Sequence, residues 1–365
     1  MAMTLDGSNG VTFNDASLQG AAASPFGLKN RIINGDMRID QRNAGASVTG
    51  NDGIFGADRF KISTGYTSKA TIQQSTTAPT GFNNSILLTS SAATSTASGD
   101  YMTLIQIIEG LNVADLSWGT ANAKTITLSF WVRSSLTGTF GGSINNSGNG
   151  RSYVFTYTIS AANTWEQKTV TIAGDTSGTW LTTNGVGLFV RFSIAMGSTY
   201  TNTAGSWYTG DYEGATGQVN ILNTNGATFY ITGVQLEVGS SATPFERRLY
   251  NQELANCQRY YWRYVTGNSK NIGVGYYWSS AEVDTSVLFP VTMRATPSLD
   301  AASGTDYYCI DRNSGTDTFN SFLMQKAHEQ SANIYNGSQA SGTAGQAGGV
   351  STNNASAYVA FNAEL

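Results

Sequence analysis

The segment GSWYTGDYEG, residues 205–214, places three aromatic side chains and two carboxylates among glycines. Aromatic rings offer flat faces to the C–H side of a sugar ring, and carboxylates accept hydrogen bonds from its hydroxyls. Exposing such a cluster to water is costly. The alternative to ligand binding is that a neighbouring subunit, or the sheet beneath the segment, covers it. Ligand binding predicts that Trp207→Ala weakens adsorption and leaves the melting temperature nearly unchanged. The candidate ligand-binding residues are Trp207, Tyr208, Asp211, Tyr212 and Glu213.

Two of these residues, Asp211 and Glu213, are also of the type that hydrolyses glycosidic bonds, which needs two carboxyl groups about 5 to 9.5 Å apart. We favour two solvated loop carboxylates. Nucleophilic catalysis needs a nucleophile beside a positioned base. The single histidine, His328, lies in QKAHEQ, and no glycine-flanked serine of the nucleophile-elbow type occurs. We therefore expect no catalytic residues and no enzymatic activity.

A second candidate surface is the outer face of a sheet. Alternation places Trp131 and Phe189 on that face, beside Arg133 and Arg191. This mixture suits a glycan platform, and Trp131, Phe189 and Arg191 are added to the candidate ligand-binding residues. The alternative is an intersubunit surface, because such interfaces bury aromatic and arginine side chains. The aromatic run at residues 276–278 falls at a strand centre and is expected in a core.

The composition restricts the partners. Of the 365 residues only 12% are charged, 41 are glycine, and the net charge is −4. Glycine and asparagine accept turn conformations and threonine suits a pleated sheet, so short strands and little helix are predicted. Without a basic field, nucleic acid is excluded as a partner. No run of roughly 18 apolar residues and no export signal occur, so we expect no membrane insertion and synthesis in a cytoplasm.

Metal and disulfide chemistry lack the necessary residues. Cys257 and Cys309 are too few for a disulfide framework or a four-ligand zinc site, and there is one histidine. We expect two free thiols, no bound metal and no cofactor.

Hydrophobic periodicity divides the chain into four parts, and the fold class is all-β. Residues 1–29 hold too few apolar side chains to fold alone and are predicted to be an attachment segment. Residues 30–246 alternate with period two, which predicts a jelly-roll sandwich. The uninterrupted run 247–266 predicts a helical connector, which in a trimer would line the axis. Residues 267–365 predict a second, smaller β-sandwich as a tip domain.

The alternation of apolar and polar residues is clearest in two segments of the sandwich. In one strand the apolar residues change from odd to even positions. In the last predicted strand, Phe229 and Ile231 occupy odd positions, whereas Val234 and Leu236 occupy even ones. A glycine β-bulge at Gly233 would restore the register. The alternating apolar residues of the two clear segments are Ile126, Leu128, Phe130 and Val132, and Val186, Leu188, Val190, Phe192 and Ile194.

Two stretches that bracket residues 30–246 resemble a known family. The opening NRIINGDMRIDQRNAGASV with GADRF, and the closing FYITGVQLEVGSSATPFERR with ELANCQRYY, resemble bacteriophage tail-fibre and minor tail proteins whose jelly roll looks like a carbohydrate-binding module. LFPVTMRATPSL at residues 288–299 is similar to a recurring fibre-tip segment, and TLDGSNGVTFNDAS to short virion-attachment segments. The resemblance implies a virion protein of the tail, made in the host cytoplasm.

This resemblance also implies partners. The expected protein is a structural adhesin that docks on phage tail or other virion proteins through residues 1–29 and binds host surface polysaccharide. A homotrimer is expected, because exposed aromatics and open sheet edges need cover. The alternatives are a capsid decoration or head-fibre protein, which differs in where the first residues dock, and a polysaccharide-degrading tailspike. The tailspike is less favoured because no short β-helix repeat is visible.

The family motifs carry three further expectations. Asp58 and Arg59 of GADRF are expected to pair and fix a neighbouring strand. Related jelly rolls hold a structural calcium with an acidic residue after the first NG, which Asp36 matches. Thr232 and Gly233 stand where the second acidic residue would be expected, so calcium lacks support from the sequence.

Overall fold

The computed structural model describes residues 29–365 and, ahead of them, three short strands. These are β1, Thr4–Asp6, β2, Gly10–Thr12, and β3, Leu18–Gln19, which pair antiparallel in the order β1-β2-β3. The attachment role predicted for residues 1–29 falls almost wholly outside the described residues and stays a prediction.

Thirteen of the next fifteen strands form a sandwich of two sheets. One sheet has the order β13-β10-β18-β8-β7-β4 and the other β16-β12-β11-β14-β9-β6-β5, while β15 and β17 pair separately in parallel. The chain changes sheet repeatedly, as in the predicted jelly roll. The strands are β4 Val48–Thr49, β5 Phe55–Ala57, β6 Phe60–Thr64, β7 Ala70–Ser75, β8 Ser85–Ser90, β9 Tyr101–Glu109, β10 Ile126–Ser134, β11 Gly138–Asn146, β12 Arg151–Ile159, β13 Glu166–Ile172, β14 Val186–Met196, β15 Thr201–Asn202, β16 Trp207–Thr209, β17 Gly214–Ala215 and β18 Thr228–Val238. Short 3-10 turns lie at Gly110–Asn112, Ala114–Leu116, Ser198–Tyr200 and Ile221–Asn223.

Alternating apolar residues of the two sheets build the core between them. The ring of Phe130 on β10 lies 5.0 Å from that of Phe192 on β14 and 5.0 Å from that of Tyr157 on β12, centroid to centroid. Burial of each such side chain contributes about 1.5–3 kcal/mol. The alternation in β10 and β14 is confirmed, because Leu128 and Val190 are also fully buried.

A β-bulge separates the two halves of the pairing between β10 and β18. Trp131 lies opposite Thr232 and Ser129 opposite Gln235, so one residue of β10 faces two of β18. Gly233 has a φ of 61°, which glycine adopts without a steric penalty. The predicted bulge is confirmed.

The predicted helical connector at residues 247–266 is wrong in its extent. The helix α1 spans Tyr250–Gln258, and the chain continues as strand β19, Tyr261–Thr266. Aromatic and β-branched residues favour a strand when a partner strand is present. Glu253 and Cys257 of α1 are buried against the sandwich of the same chain, where the trimer-axis hypothesis had placed subunit contacts.

The second unit contains two antiparallel sheets, in the orders β19-β28-β22 and β24-β23-β27-β20-β21-β26-β25. Of the aromatic run expected in its core, only Tyr277 is fully buried. Tyr276 is 40% and Trp278 64% exposed, because neighbouring residues of a strand point to opposite faces. The remaining strands are β20 Asn271–Tyr277, β21 Val283–Leu288, β22 Ser298–Ala301, β23 Tyr308–Arg312, β24 Gly315–Phe319, β25 Leu323–His328, β26 Ser331–Asn336, β27 Ala347–Thr352 and β28 Tyr358–Asn362.

The opening and closing motifs of the sandwich meet at one end of it. The backbone N–H groups of Lys29 and Asn30 donate to Glu246 Oε2 at 2.5 and 2.9 Å. Arg248 donates to the carbonyl oxygens of Asn30 and Ile32, the latter at 3.0 Å. The chain therefore enters and leaves the sandwich at neighbouring positions.

The Asn-Gly pair of the opening motif has a structural role. Asn34 Nδ2 donates to the carbonyl oxygens of Ile39 and Asp58 at 2.8 and 2.9 Å, which ties two loops together. A Cβ atom on Gly35 would lie 2.2 Å from the Val234 carbonyl oxygen. Only glycine lets the last strand of the sandwich approach this closely.

Buried charges join the two units, and the predicted pairing of Asp58 with Arg59 is wrong. Arg59 pairs with Glu364 at the far end of the sequence and donates to the Ile107 carbonyl oxygen at 2.5 Å. Asp58 lies 3.6 Å from Arg42. Burial raises the pKa of Asp58 to about 6, which Arg42 opposes, and lowers the pKa of Arg59 to about 10.

A second buried pair fixes the end of α1 to the sandwich. Arg259 donates twice to the Glu109 carboxylate, at 3.0 and 2.6 Å, and the Tyr260 hydroxyl donates to it at 2.7 Å. The Arg59 guanidinium lies 3.6 Å above the Tyr260 ring, which links the two pairs. We call the six charged residues of this contact the junction: Arg42, Asp58, Arg59, Glu109, Arg259 and Glu364.

Candidate ligand-binding site

The loop at residues 205–214 contains the edge strand β16 of the seven-stranded sheet, and its residues 210–214 then cross the outer face of that sheet. The side chains of Ser152, Asn145 and Ser193 point outward from β12, β11 and β14, and each donates to a carbonyl oxygen of the loop. The first two hydrogen bonds measure 2.8 and 3.1 Å. The sheet therefore fixes the loop backbone and positions its side chains.

Arg191 of β14 lies beneath this loop and holds both of its carboxylates. Its Nη1 atom is 3.7 Å from Asp211 Oδ1, and its Nη2 atom is 3.3 Å from Glu213 Oε1. Asn149 Oδ1 accepts from both Nη atoms at 3.3 Å. The guanidinium stacks over Phe189, 4.5 Å from the ring centroid. Four predicted residues thus come together: Phe189, Arg191, Asp211 and Glu213.

The charged groups of this cluster keep unused hydrogen-bonding atoms. Within residues 29–365, Arg191 Nε, Asp211 Oδ1 and Glu213 Oε2 are buried and have no hydrogen-bond partner. Burial raises the pKa of both carboxyl groups, and the Arg191 charge opposes that rise. These three atoms are closed to solvent, so a ligand can reach the cluster chiefly through Asp211, whose side chain is 35% exposed, against 5% for Arg191 and 6% for Glu213.

Aromatic rings flank the cluster. Tyr208 and Tyr212 of the loop are half-buried and meet edge to face, 5.8 Å apart between centroids. The Glu213 N–H donates to the Tyr200 carbonyl oxygen at 2.8 Å, and the Tyr200 ring lies 5.3 Å from Tyr101. Sequence reasoning missed Tyr101 and Tyr200, because only the pairing of β9 with β14 brings them to this face.

Trp207 belongs to a different environment from the other loop residues. Its ring lies 5.3 Å from Trp118, 5.5 Å from Trp180 and 5.3 Å from Tyr153. Its indole N–H donates to the Ala173 carbonyl oxygen at 2.8 Å. This packing corrects the expectation that Trp207→Ala leaves the melting temperature unchanged, because the ring is part of the protein's own aromatic cluster.

The expected single platform of Trp131 and Phe189 does not exist. Trp131 and Arg133 lie on β10 of the six-stranded sheet, whereas Phe189 and Arg191 lie on β14 of the seven-stranded sheet. The two outer faces point away from each other on opposite sides of the sandwich. Arg133 stacks over Tyr230 at 5.0 Å and takes no part in the Arg191 cluster.

The surroundings of His328 and of Asp36 bear on two other chemistries, base catalysis and metal binding. His328 Nε2 lies 2.8 Å from Ser331 Oγ, but His328 Nδ1 accepts from the Gln330 N–H at 3.3 Å. A neutral ring then carries its proton on Nε2 and donates to the serine, so it is not positioned as a base. Residues 29–365 contain no group of three or more His, Cys, Asp or Glu side chains arranged for a metal, and Asp36 pairs with Arg38 at 3.2 Å.

No helix in the described part of the chain is long and apolar enough to cross a membrane.

Comparisons with known proteins give distant structural likenesses. No protein-family model and no curated protein matches the chain. The enzymatically active domain of tailspike protein 4 from bacteriophage CBA120 is 14% identical, with a TM-score of 0.31 over 53% of this chain and 21% of that one. The family 11 carbohydrate-binding module from Clostridium thermocellum is 12% identical, with a TM-score of 0.26 over 54% and 96%. The N-terminal cellulose-binding domain of Cellulomonas fimi β-1,4-glucanase C is 12% identical, with a TM-score of 0.24 over 55% and 99%. Such low TM-scores support no conclusion about what this chain binds.

Proposed function

We propose that this chain is a bacteriophage tail-fibre adhesin that binds host surface glycan without cleaving it. The observation that carries the glycan part is the Asp211 carboxylate, whose side chain is 35% exposed and which lies over Arg191 beside aromatic rings. A sugar hydroxyl donates to such a carboxylate, and the buried Arg191 and Glu213 beneath it hold it in position. Tyr208 and Tyr212 supply faces for the apolar side of the ring.

Hydrolysis is the second candidate, and one observation favours it. Burial raises the pKa of both carboxyl groups, as in acids that protonate a leaving group. Against it, Asp211 and Glu213 share the same guanidinium, and Glu213 is only 5% exposed. A catalytic pair must reach opposite sides of the scissile bond, so we propose that the pair orients a glycan and does not cleave it.

Asp211→Asn is expected to weaken glycan binding about tenfold or more, because a hydrogen bond to a charged group contributes roughly 1.5–3 kcal/mol. The measurement is biolayer interferometry of the full chain on a panel of bacterial capsular polysaccharides and lipopolysaccharides. Asp115→Asn is the matched control, because Asp115 pairs with Arg31 at 2.7 Å, outside the cluster.

Two results would contradict the proposal. Wild-type protein that binds no member of the panel would remove the adhesin function, and equal losses in both variants would remove the site. Release of reducing ends by wild-type protein, abolished in the double variant Asp211→Asn, Glu213→Gln, would establish the tailspike alternative.

The proposed assembly is a homotrimer that docks on the tail through residues 1–29. Large apolar side chains of the second unit are open to solvent in the single chain: Val274 is 78%, Trp278 64% and Leu288 79% exposed. Such patches mark interfaces. Mass photometry at micromolar concentration is expected to show three chains, and a monodisperse monomer would exclude the trimer. Immunogold labelling of particles on the head would favour the capsid-decoration alternative.

A further inference from the structure

The six-stranded sheet carries an open groove of about 690 Å³ on its outer face. This face is on the opposite side of the sandwich from the Arg191 cluster. Its volume lies in the usual range for ligand sites, roughly 300–1,000 Å³. The lining residues used below are Phe82, Trp131, Gln167, Thr169, Phe245 and Arg247.

One wall of the groove is a chain segment held in place by buried polar residues. Residues 242–247 fold back over the sheet after β18. The Thr243 N–H donates to Glu237 Oε1 at 2.8 Å, and the Glu246 N–H donates to Gln235 Oε1 at 2.7 Å. Glu237 and Gln235 are 3% and 0% exposed. The wall is therefore a fixed part of the fold.

The floor of the groove is aromatic and depends on the bulge at Gly233. A Cβ atom there would lie 2.8 Å from the Phe82 ring and 3.0 Å from the Trp131 ring, so both rings meet at this glycine. Phe245 lies 5.2 Å from Phe82, edge to face. Three rings thus form one continuous apolar surface on the outside of the sheet.

Polar side chains beside this floor are open to solvent. Gln167 and Thr169 of β13 are exposed, and Trp131 is partly buried. Gln167 pairs with Trp131 across the strands, so two of these groups are immediate neighbours.

Arg247 places a positive charge at the groove. Its guanidinium lies 4.6 Å above the Phe82 ring and 5.6 Å from that of Phe245, and it donates to the Gly81 carbonyl oxygen. No carboxylate of the described chain lies within 4.0 Å of Arg247, although the protein as a whole carries a net charge of −4. Arg247 is exposed, and its charge acts on Asp36 only as the weakest of the influences on that carboxyl group. An exposed cation over aromatic rings, with no carboxylate in direct contact, favours an anionic ligand.

We propose that the groove binds an acidic oligosaccharide, with a sugar ring on Trp131 and a carboxylate on Arg247. The carbohydrate class rests on the proposed function, whereas the location and the preference for negative charge rest on the groove itself. An extended acidic peptide is less suited, because peptides bind through a ladder of backbone hydrogen bonds, and the free groups here are separate side chains above flat rings.

The test is isothermal titration calorimetry of the full chain with trigalacturonate and with its neutral methyl ester. Arg247→Gln is expected to weaken trigalacturonate binding roughly tenfold, through loss of a charge-assisted contact. The methyl ester is expected to bind wild-type protein as weakly as trigalacturonate binds the variant. Arg133→Gln is the matched control, because Arg133 also lies over an aromatic ring, that of Tyr230 in the same sheet, but does not line the groove.

Asp211→Asn separates this site from the Arg191 cluster and is expected to leave trigalacturonate binding unchanged. No binding of trigalacturonate by wild-type protein at millimolar concentration, or equal binding by wild-type and Arg247→Gln protein, would overturn the proposal. Displacement of trigalacturonate by a hexaglutamate peptide would overturn the carbohydrate class. Failure of the proposed function would show instead on the polysaccharide panel, where Asp211→Asn would bind as wild type.

Discussion

Glu364→Ala is expected to lower the free energy of unfolding by about 3–5 kcal/mol, the usual effect of removing one partner of a buried ion pair. Glu364 is the carboxylate that neutralises Arg59, which is 3% exposed and 305 residues away in sequence. The substitution leaves this buried guanidinium with only the Ile107 carbonyl oxygen and the Tyr260 ring as direct partners. Chemical denaturation followed by circular dichroism measures the effect.

Glu329→Ala is the matched control for this prediction. Glu329 lies in the same unit and is exposed, with one hydrogen bond from Thr296 at 3.3 Å. We expect its loss to change the free energy of unfolding by less than about 0.5 kcal/mol. A similarly small effect of Glu364→Ala would mean that Arg59 reaches solvent and that the junction does not hold the two units together.

Trp207→Ala is expected to destabilise the sandwich by about 3 kcal/mol, near the lower limit for truncation of a large aromatic residue because the ring is only partly buried. The substitution removes packing against Trp118 and Trp180 and the hydrogen bond to Ala173. Thermal unfolding followed by near-ultraviolet circular dichroism reports on this cluster directly.

Trp278→Ala tests whether this effect is specific to the cluster. Trp278 lies in the second unit, away from Trp118, Trp180 and Trp207, so its truncation is expected to leave the thermal unfolding of this cluster unchanged. If Trp207→Ala also leaves thermal unfolding unchanged but reduces polysaccharide binding, Trp207 belongs to the ligand site, as its sequence context predicted.

Local patterns predicted those parts of the fold that local residues determine. Period-two alternation placed Phe130 and Phe192 in the core, because side-chain direction in a strand depends only on position along it. In β18 the apolar residues change from odd to even positions, and this change predicted the bulge at Gly233 for the same reason. The loop carboxylates Asp211 and Glu213 stood out because charged residues are rare in this chain.

Long-range pairing determined what the sequence did not predict. Trp131 and Phe189 both point outward, but strand order alone puts them on opposite sides of the sandwich. Arg191 is buried only because a loop twenty residues later crosses over it. Residues 261–266 follow a helix without a glycine or proline between them, and the pairing of β19 with β28 makes them a strand.

The neighbouring entry and exit of the sandwich set the path of mechanical load. Suppose that force is applied between the segment before Lys29 and the second unit. The hydrogen bonds of Lys29 and Asn30 to Glu246 and Arg248 then transmit this force directly. The hydrogen-bonded ladders of the two large sheets lie outside that path and carry little tension. A chain built this way keeps the geometry of its sandwich, and of any ligand bound there, while it is under load.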